Sequence, residues 1–164
     1  MKLGALILIM EVNNISKIYS GWTGYFITIV TQNRINYLGE IKDGEMHPSV
    51  AGVVAGILWS DVGNCRPNVI RSNFVVMPNH LHGILLIRTK QPETDTIEQT
   101  FEISLESIIR FYKGAVKKYC NIYKLEFNWQ SSFHCRTFNT ENEFKSFIKY
   151  IEDNIKNWNN EPQF

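Results

Sequence analysis

Two apolar runs on either side of Pro78-Asn79 restrict this chain more than any other feature. Residues 67–76, PNVIRSNFVV, and 80–88, HLHGILLIR, read as strands, and the Pro-Asn pair between them is a strong turn former. The pattern predicts a β-hairpin, which is stable only within a larger sheet. The second arm opens with His80 and His82. Side chains alternate along a strand, so both imidazoles point to one face, close enough to hold a single metal ion.

The rest of the chain supplies the partners such a hairpin needs. Residues 25–31, YFITIVT, are β-branched and aromatic and predict a first strand. Residues 33–45 carry Gly39, Asp43 and Gly44 and read as a loop or loose hairpin. From Pro48, Val50, Val53, Val54, Ile57 and Leu58 recur at helical spacing up to Gly63, with Gly52 and Gly56 permitting close approach of a neighbour. Residues 89–100 are polar, contain Pro92 and predict a mobile loop. Ser104 caps a helix whose apolar face is Leu105, Ile108, Ile109, Tyr112, Val116 and Tyr119. Beside that face run Arg110, Lys113, Lys117 and Lys118, the densest basic surface in the sequence. A short strand is expected over 133–138, and Thr140-Glu141-Asn142-Glu143 is a capping box opening a last helix. That helix has a core stripe of Phe144, Phe147, Ile148, Ile151, Ile155 and Trp158. At about 100° per residue, Tyr150 and Asn154 share one flank of it.

Strand, helix, strand, strand, helix, strand, helix is the order of a ferredoxin-like βαββαβ antiparallel sheet, an α+β fold, with an added C-terminal helix carrying Tyr150. A length of 164 residues suits one domain with a core of its own. Residues 1–24 read as an N-terminal extension and 25–164 as the domain. The opening MKLGALILIM has a short apolar stretch without a small-residue cleavage site and is too short to span a bilayer. Cys65, Cys120 and Cys135 are odd in number and lack C-x-x-C spacing, which fits reduced thiols in cytoplasm better than a disulfide framework. A net charge of +1 excludes binding to nucleic acid through overall charge, so any such binding depends on local clusters.

Two readings of His80 and His82 stand on spacing alone: imidazoles satisfied at a sheet edge, or metal ligands. In the second case two imidazoles leave a divalent ion short of donors, and a third must come from elsewhere in the chain. Ile84 occupies the position where a histidine-triad hydrolase would need another histidine. His47 and His134 read as surface or loop histidines, Tyr150 as a flanking aromatic, and Asn154 as a solvated polar residue.

Residues 75–87, VVMPNHLHGILLI, resemble the H-hydrophobic-H motif of the HUH single-tyrosine transposases, particularly the REP-associated tyrosine transposases. Four more segments agree in order: 25–32; 104–118, SLESIIRFYKGAVKK; Trp129 to His134 with W-Q-x-x-F-[HY]; and Tyr150 to Asn154 with Y-I-x-x-N. The resemblance spans about residues 25–158. Ile155 replaces a proline common in such proteins, and Cys135 an acidic residue.

The resemblance implies that His80 and His82 bind a divalent metal ion, Mg or Mn, that Asn154 completes its shell, and that Tyr150 is the nucleophile. It implies metal-dependent nicking and rejoining of single-stranded, hairpin-forming (REP-like) DNA through a 5′-phosphotyrosine intermediate. Arg110, Lys113, Lys117 and Lys118 are then a track for DNA phosphates. Relatives include monomers and homodimers in which one subunit's tyrosine helix completes the other's site. The expected location is the bacterial cytoplasm, at the nucleoid. The alternatives are a domesticated protein that binds DNA hairpins without cutting, and a metal-dependent phosphoesterase that needs the histidines but not Tyr150.

Overall fold

The computed structural model describes residues 21–64, 66–88 and 104–158. The N-terminal stretch 1–20 and the polar loop 89–100 lie outside them. Four strands form one antiparallel sheet: β1 (Trp22–Val30), β4 (Val69–Met77), β5 (His80–Arg88) and β6 (His134–Phe138), in the spatial order β4-β5-β1-β6. With helices α1 (Val50–Ser60) and α2 (Leu105–Ile122) this is the expected ferredoxin-like arrangement, and α3 (Glu141–Asp153) is the added helix. β1 begins three residues before the expected start of the domain. The 33–45 segment folds into a short 3-10 turn and a separate ribbon of β2 (Gly39–Lys42) and β3 (Glu45–Pro48). Asp43 and Gly44, at φ 53° and 78°, make its tight turn.

The β4–β5 hairpin closes with Met77 opposite His80. Its turn is held from outside, the Pro78 carbonyl accepting from the Leu38 amide and the Asn79 carbonyl from the Thr31 amide, both at 2.9 Å. Every residue of β5 but Arg88 is buried, because both faces of the sheet are covered. On one face α1 and α2 pack over Ile27, Ile29, Leu81, Leu85 and Ile87. Trp59 of α1 lies so close to Gly83 that any Cβ there would collide with its indole. Gly52 does for α1 what its spacing predicts, since a side chain would meet the Leu38 carbonyl; Gly56 meets only Val76 at ordinary contact distance.

The buried stripe of α2 runs Leu105, Ile108, Ile109, Tyr112, Val116 and then Cys120, whereas Tyr119 turns to solvent. On the opposite face of the sheet α3 packs through Phe144 and Ile151, with Phe147 and Ile148 partly buried, against Ile84, Leu86 and Phe138. Each fully buried side chain of this kind stabilises by roughly 1.5–3 kcal/mol, which is what holds the last helix down. Thr140 caps α3, its Oγ1 accepting from the Glu143 amide at 3.3 Å and donating to the Glu143 carboxylate at 2.8 Å. Among the described residues no helix is long and apolar enough to cross a membrane.

Candidate active site

Register places His80 and His82 on the α3 side of the sheet, opposite Val30 and Thr28 of β1. Their rings lie 4.5 Å apart between centroids, crossed at 70°. Each is held through Nδ1: His82 to the Thr28 hydroxyl at 2.9 Å, His80 to Asn79 Oδ1 at 2.8 Å. Phe26 stacks on His82 at 5.2 Å, and Trp158 on His80 at 6.0 Å. Burial drives both pKa values down from the usual histidine range. His80 falls to about 4, helped by the Arg34 guanidinium, and His82 to about 3, helped by His80 against an opposing hydrogen bond with the Ile27 backbone. Both rings are therefore neutral near pH 7, the state in which imidazole binds a metal.

Tyr150 arrives from α3, its ring edge-on to His82 at 5.2 Å and 75° and edge-on to Phe26 at 5.6 Å. It is 42% exposed, so it meets His82 on one side and solvent on the other. Asn154 follows one turn later, 1% exposed, and neither atom of its carboxamide has a hydrogen-bond partner among the described residues. A buried amide left so costs about 1–3 kcal/mol, which a metal bound through Oδ1 would offset. Four residues further on, Trp158 covers His80. Tyr150 and Trp158 thus contact the histidine pair from either side of Asn154 in the sequence.

Among the described residues no group of three or more His, Cys, Asp or Glu gathers here or elsewhere. A divalent ion here would have His80 and His82 as donors, and the Asn154 amide is a buried group of the kind that could complete the set. The structure brings His80, His82 and Tyr150 together within one chain.

No family model matches the chain. Over 150 residues it is 27% identical to an uncharacterized protein of Haemophilus influenzae, a match covering 82% of this chain and 81% of that one. Among solved structures it superposes on a REP-associated tyrosine transposase bound to a REP hairpin with a TM-score of 0.55 and 19% identity, over 82% of this chain and 66% of that one. The chain shares the fold of that protein. A second structure, a Deinococcus radiodurans protein proposed to be a transposase, superposes with a TM-score of 0.50 and 17% identity, over 82% of this chain and 92% of that one. The chain spans just under two thirds of the hairpin-bound transposase.

Within this fold the basic stripe of α2 lies on the far layer from the histidines, since α2 packs on the other face of the sheet. Two of its members have work there. Lys113 Nζ donates to the carbonyls of Gln130, Ser131 and Ser132 at 2.6, 2.9 and 3.3 Å, and Lys117 Nζ to that of Phe127 at 2.5 Å. They tie down the segment leading into β6. Burial lowers the Lys113 pKa. Arg110 and Lys118 remain exposed on that layer.

The site also uses residues that the sequence left unremarked. Thr28 sits in an ordinary alternating strand and Asn79 reads as a turn former. Trp158 continues a core stripe, and only its helical spacing from Tyr150 marks it. His134, expected at the surface, is exposed on β6 directly opposite Thr28, and Arg136 is opposite Phe26, its guanidinium 5.6 Å over the Phe147 ring. Both therefore lie on the same face of the sheet as His82.

Proposed function

We propose that this chain is a metal-dependent enzyme that nicks and rejoins single-stranded DNA, transposase-like, at hairpin-forming REP-like sequences. The observation that carries the proposal is Tyr150 edge-on to His82 within the same chain. A phenol exposed to solvent on one side and edge-on to the neutral imidazole of His82 on the other supports a role as nucleophile toward a phosphodiester bound beside it.

In that reaction the Tyr150 oxygen forms a bond to phosphorus and the bond from phosphorus to the 3′ oxygen breaks. The phenol loses its proton and the departing oxygen gains one, leaving a 5′-phosphotyrosyl end and a free 3′-hydroxyl. One ester replaces another, so a second 3′-hydroxyl can reverse the step and join a different strand. His80, His82 and Asn154 would hold the divalent ion. When bound, the ion polarises the scissile phosphate and offsets the charge that develops in the transition state. Two imidazoles among the donors suit Mn²⁺ better than Mg²⁺, which prefers oxygen and water.

The fold shared with a hairpin-bound transposase supports hairpin DNA as the substrate class. Phosphates approaching Tyr150 from solvent would meet Arg136 and His134 on β6, and Arg110 and Lys118 would serve a strand wrapping round to α2.

The test is incubation of the protein and Tyr150→Phe with labelled hairpin DNA and Mn²⁺, followed by denaturing gel electrophoresis. The native protein gives a covalent adduct and the variant gives none. Tight binding without an adduct in either would replace the enzyme with a DNA-hairpin-binding module, and cleavage surviving Tyr150→Phe would identify a phosphoesterase.

A further inference from the structure

The side chain of Asn79 makes two hydrogen bonds that together determine its orientation. Its Nδ2 donates to the Arg34 carbonyl at 3.3 Å, and its Oδ1 lies 2.8 Å from His80 Nδ1. A carbonyl only accepts, so the amide nitrogen must face Arg34 and the amide oxygen must face the ring. An oxygen there needs a donor, and the proton must then sit on His80 Nδ1. The Nε2 of a neutral ring in that tautomer carries the lone pair.

Asn79 is itself held on both sides. Its carbonyl accepts from the Thr31 amide, and Leu38 donates to the neighbouring Pro78 carbonyl, so the hairpin turn cannot rotate away from the ring. The carbonyl that orients the amide belongs to Arg34, which stands with Asn33 at φ 53°, in the left-handed region that non-glycine residues rarely enter. A backbone kept there at a cost, and aimed at one amide, reads as a built support rather than a chance contact. His82 is served differently, by a hydroxyl: Thr28 Oγ1 can donate or accept, and so does not by itself choose a tautomer.

We propose that Asn79 is the positioning residue of His80, holding the ring with its proton on Nδ1 and thereby presenting Nε2 to the metal. This rests on the metal-site reading above for its purpose but not for its tautomer. The turn dipeptide that closes the hairpin thus also prepares the ligand that follows it, and a change at the 31–38 segment is transmitted to the site through one amide.

The tautomer is read in the metal-free protein near neutral pH by long-range ¹H–¹⁵N correlation of the histidine rings, and metal affinity by calorimetric titration with Mn²⁺. The expected result is a pyrrole-type Nδ1 and a pyridine-type Nε2 for His80. In Asn79→Leu the tautomer becomes mixed and Mn²⁺ affinity falls by about 10- to 100-fold, the usual scale for losing such a support. Asn79→Asp, which keeps an acceptor at the ring although it cannot donate to the Arg34 carbonyl, restores the tautomer. The His82 signals report whether each variant retains the fold. A wild-type His80 protonated on Nε2, or an Asn79→Leu protein with unchanged tautomer and affinity, would overturn the proposal. A wild-type protein that shows the Nδ1–H tautomer yet binds no Mn²⁺ would support the positioning role and remove the metal from the proposed function.

Discussion

The phenol of Tyr150 stands edge-on to the imidazole of His82 with 5.2 Å between ring centres, although 67 positions of sequence lie between them. The contact is made inside one chain, by α3 returning over the face of the sheet that carries both histidines.

If that geometry is the working one, the site acts in cis. Tyr150→Phe and His82→Ala proteins, each inactive in adduct formation, should stay inactive when mixed. Complementation on mixing, scored on the same denaturing gel, would instead place the tyrosine of one subunit in the site of another.

Asn154 offers a test that separates metal binding from stability. Asn154→Leu removes a buried amide that has no hydrogen-bond partner among the described residues, so the metal-free protein should be as stable as wild type or more so, by up to about 1–3 kcal/mol. Mn²⁺ should raise the thermal midpoint of the wild type and leave that of the variant unmoved. A variant that loses stability without metal would mean that the amide has a structural partner.

Acid should destabilise the metal-free protein through the same pair. Above about pH 6.5 both imidazoles are neutral folded or unfolded, and full stability is present. As pH falls below that value the unfolded chain takes up protons that the buried rings refuse, and stability drops until pH passes through about 4 for His80 and about 3 for His82. Urea midpoints measured with chelator between about pH 7.5 and about pH 4.5 should decline, and less steeply in His82→Leu.

Lys113 and Lys117 should behave as structural residues. Lys117→Met takes the charged donor from the Phe127 carbonyl and should cost roughly 1.5–3 kcal/mol of stability in denaturant titration. Arg110→Gln and Lys118→Gln should leave stability nearly unchanged, and any DNA binding they support should show as a smaller salt slope.

Much of the fold is legible in local pattern. The apolar run of 80–88, the Pro78-Asn79 turn, the Asp43-Gly44 dipeptide and the capping box at Thr140 are short-range signals, and each produced the element it implies, the Asp-Gly turn closing a ribbon where a loop or loose hairpin was expected. The helix faces were legible to within one position: Tyr119 gave way to Cys120 because burial at the end of α2 follows the packing against the sheet, which periodicity does not encode.

The site was legible as a list of residue types but not as an arrangement. Asn154 reads as a solvated polar residue, and only the packing of α3 buries it. The lysines of α2 read as a free cationic stripe, and only the path of 127–132 supplies the carbonyls they hold. His134 reads as a surface histidine, and only its register opposite Thr28 sets it on the face of His82. Sequence by itself determined which groups are available, since spacing within one strand or one helix decides which side chains share a face. The tertiary structure decided which of them meet, because a contact across 67 positions depends on sheet order, register and the layer on which each helix lands.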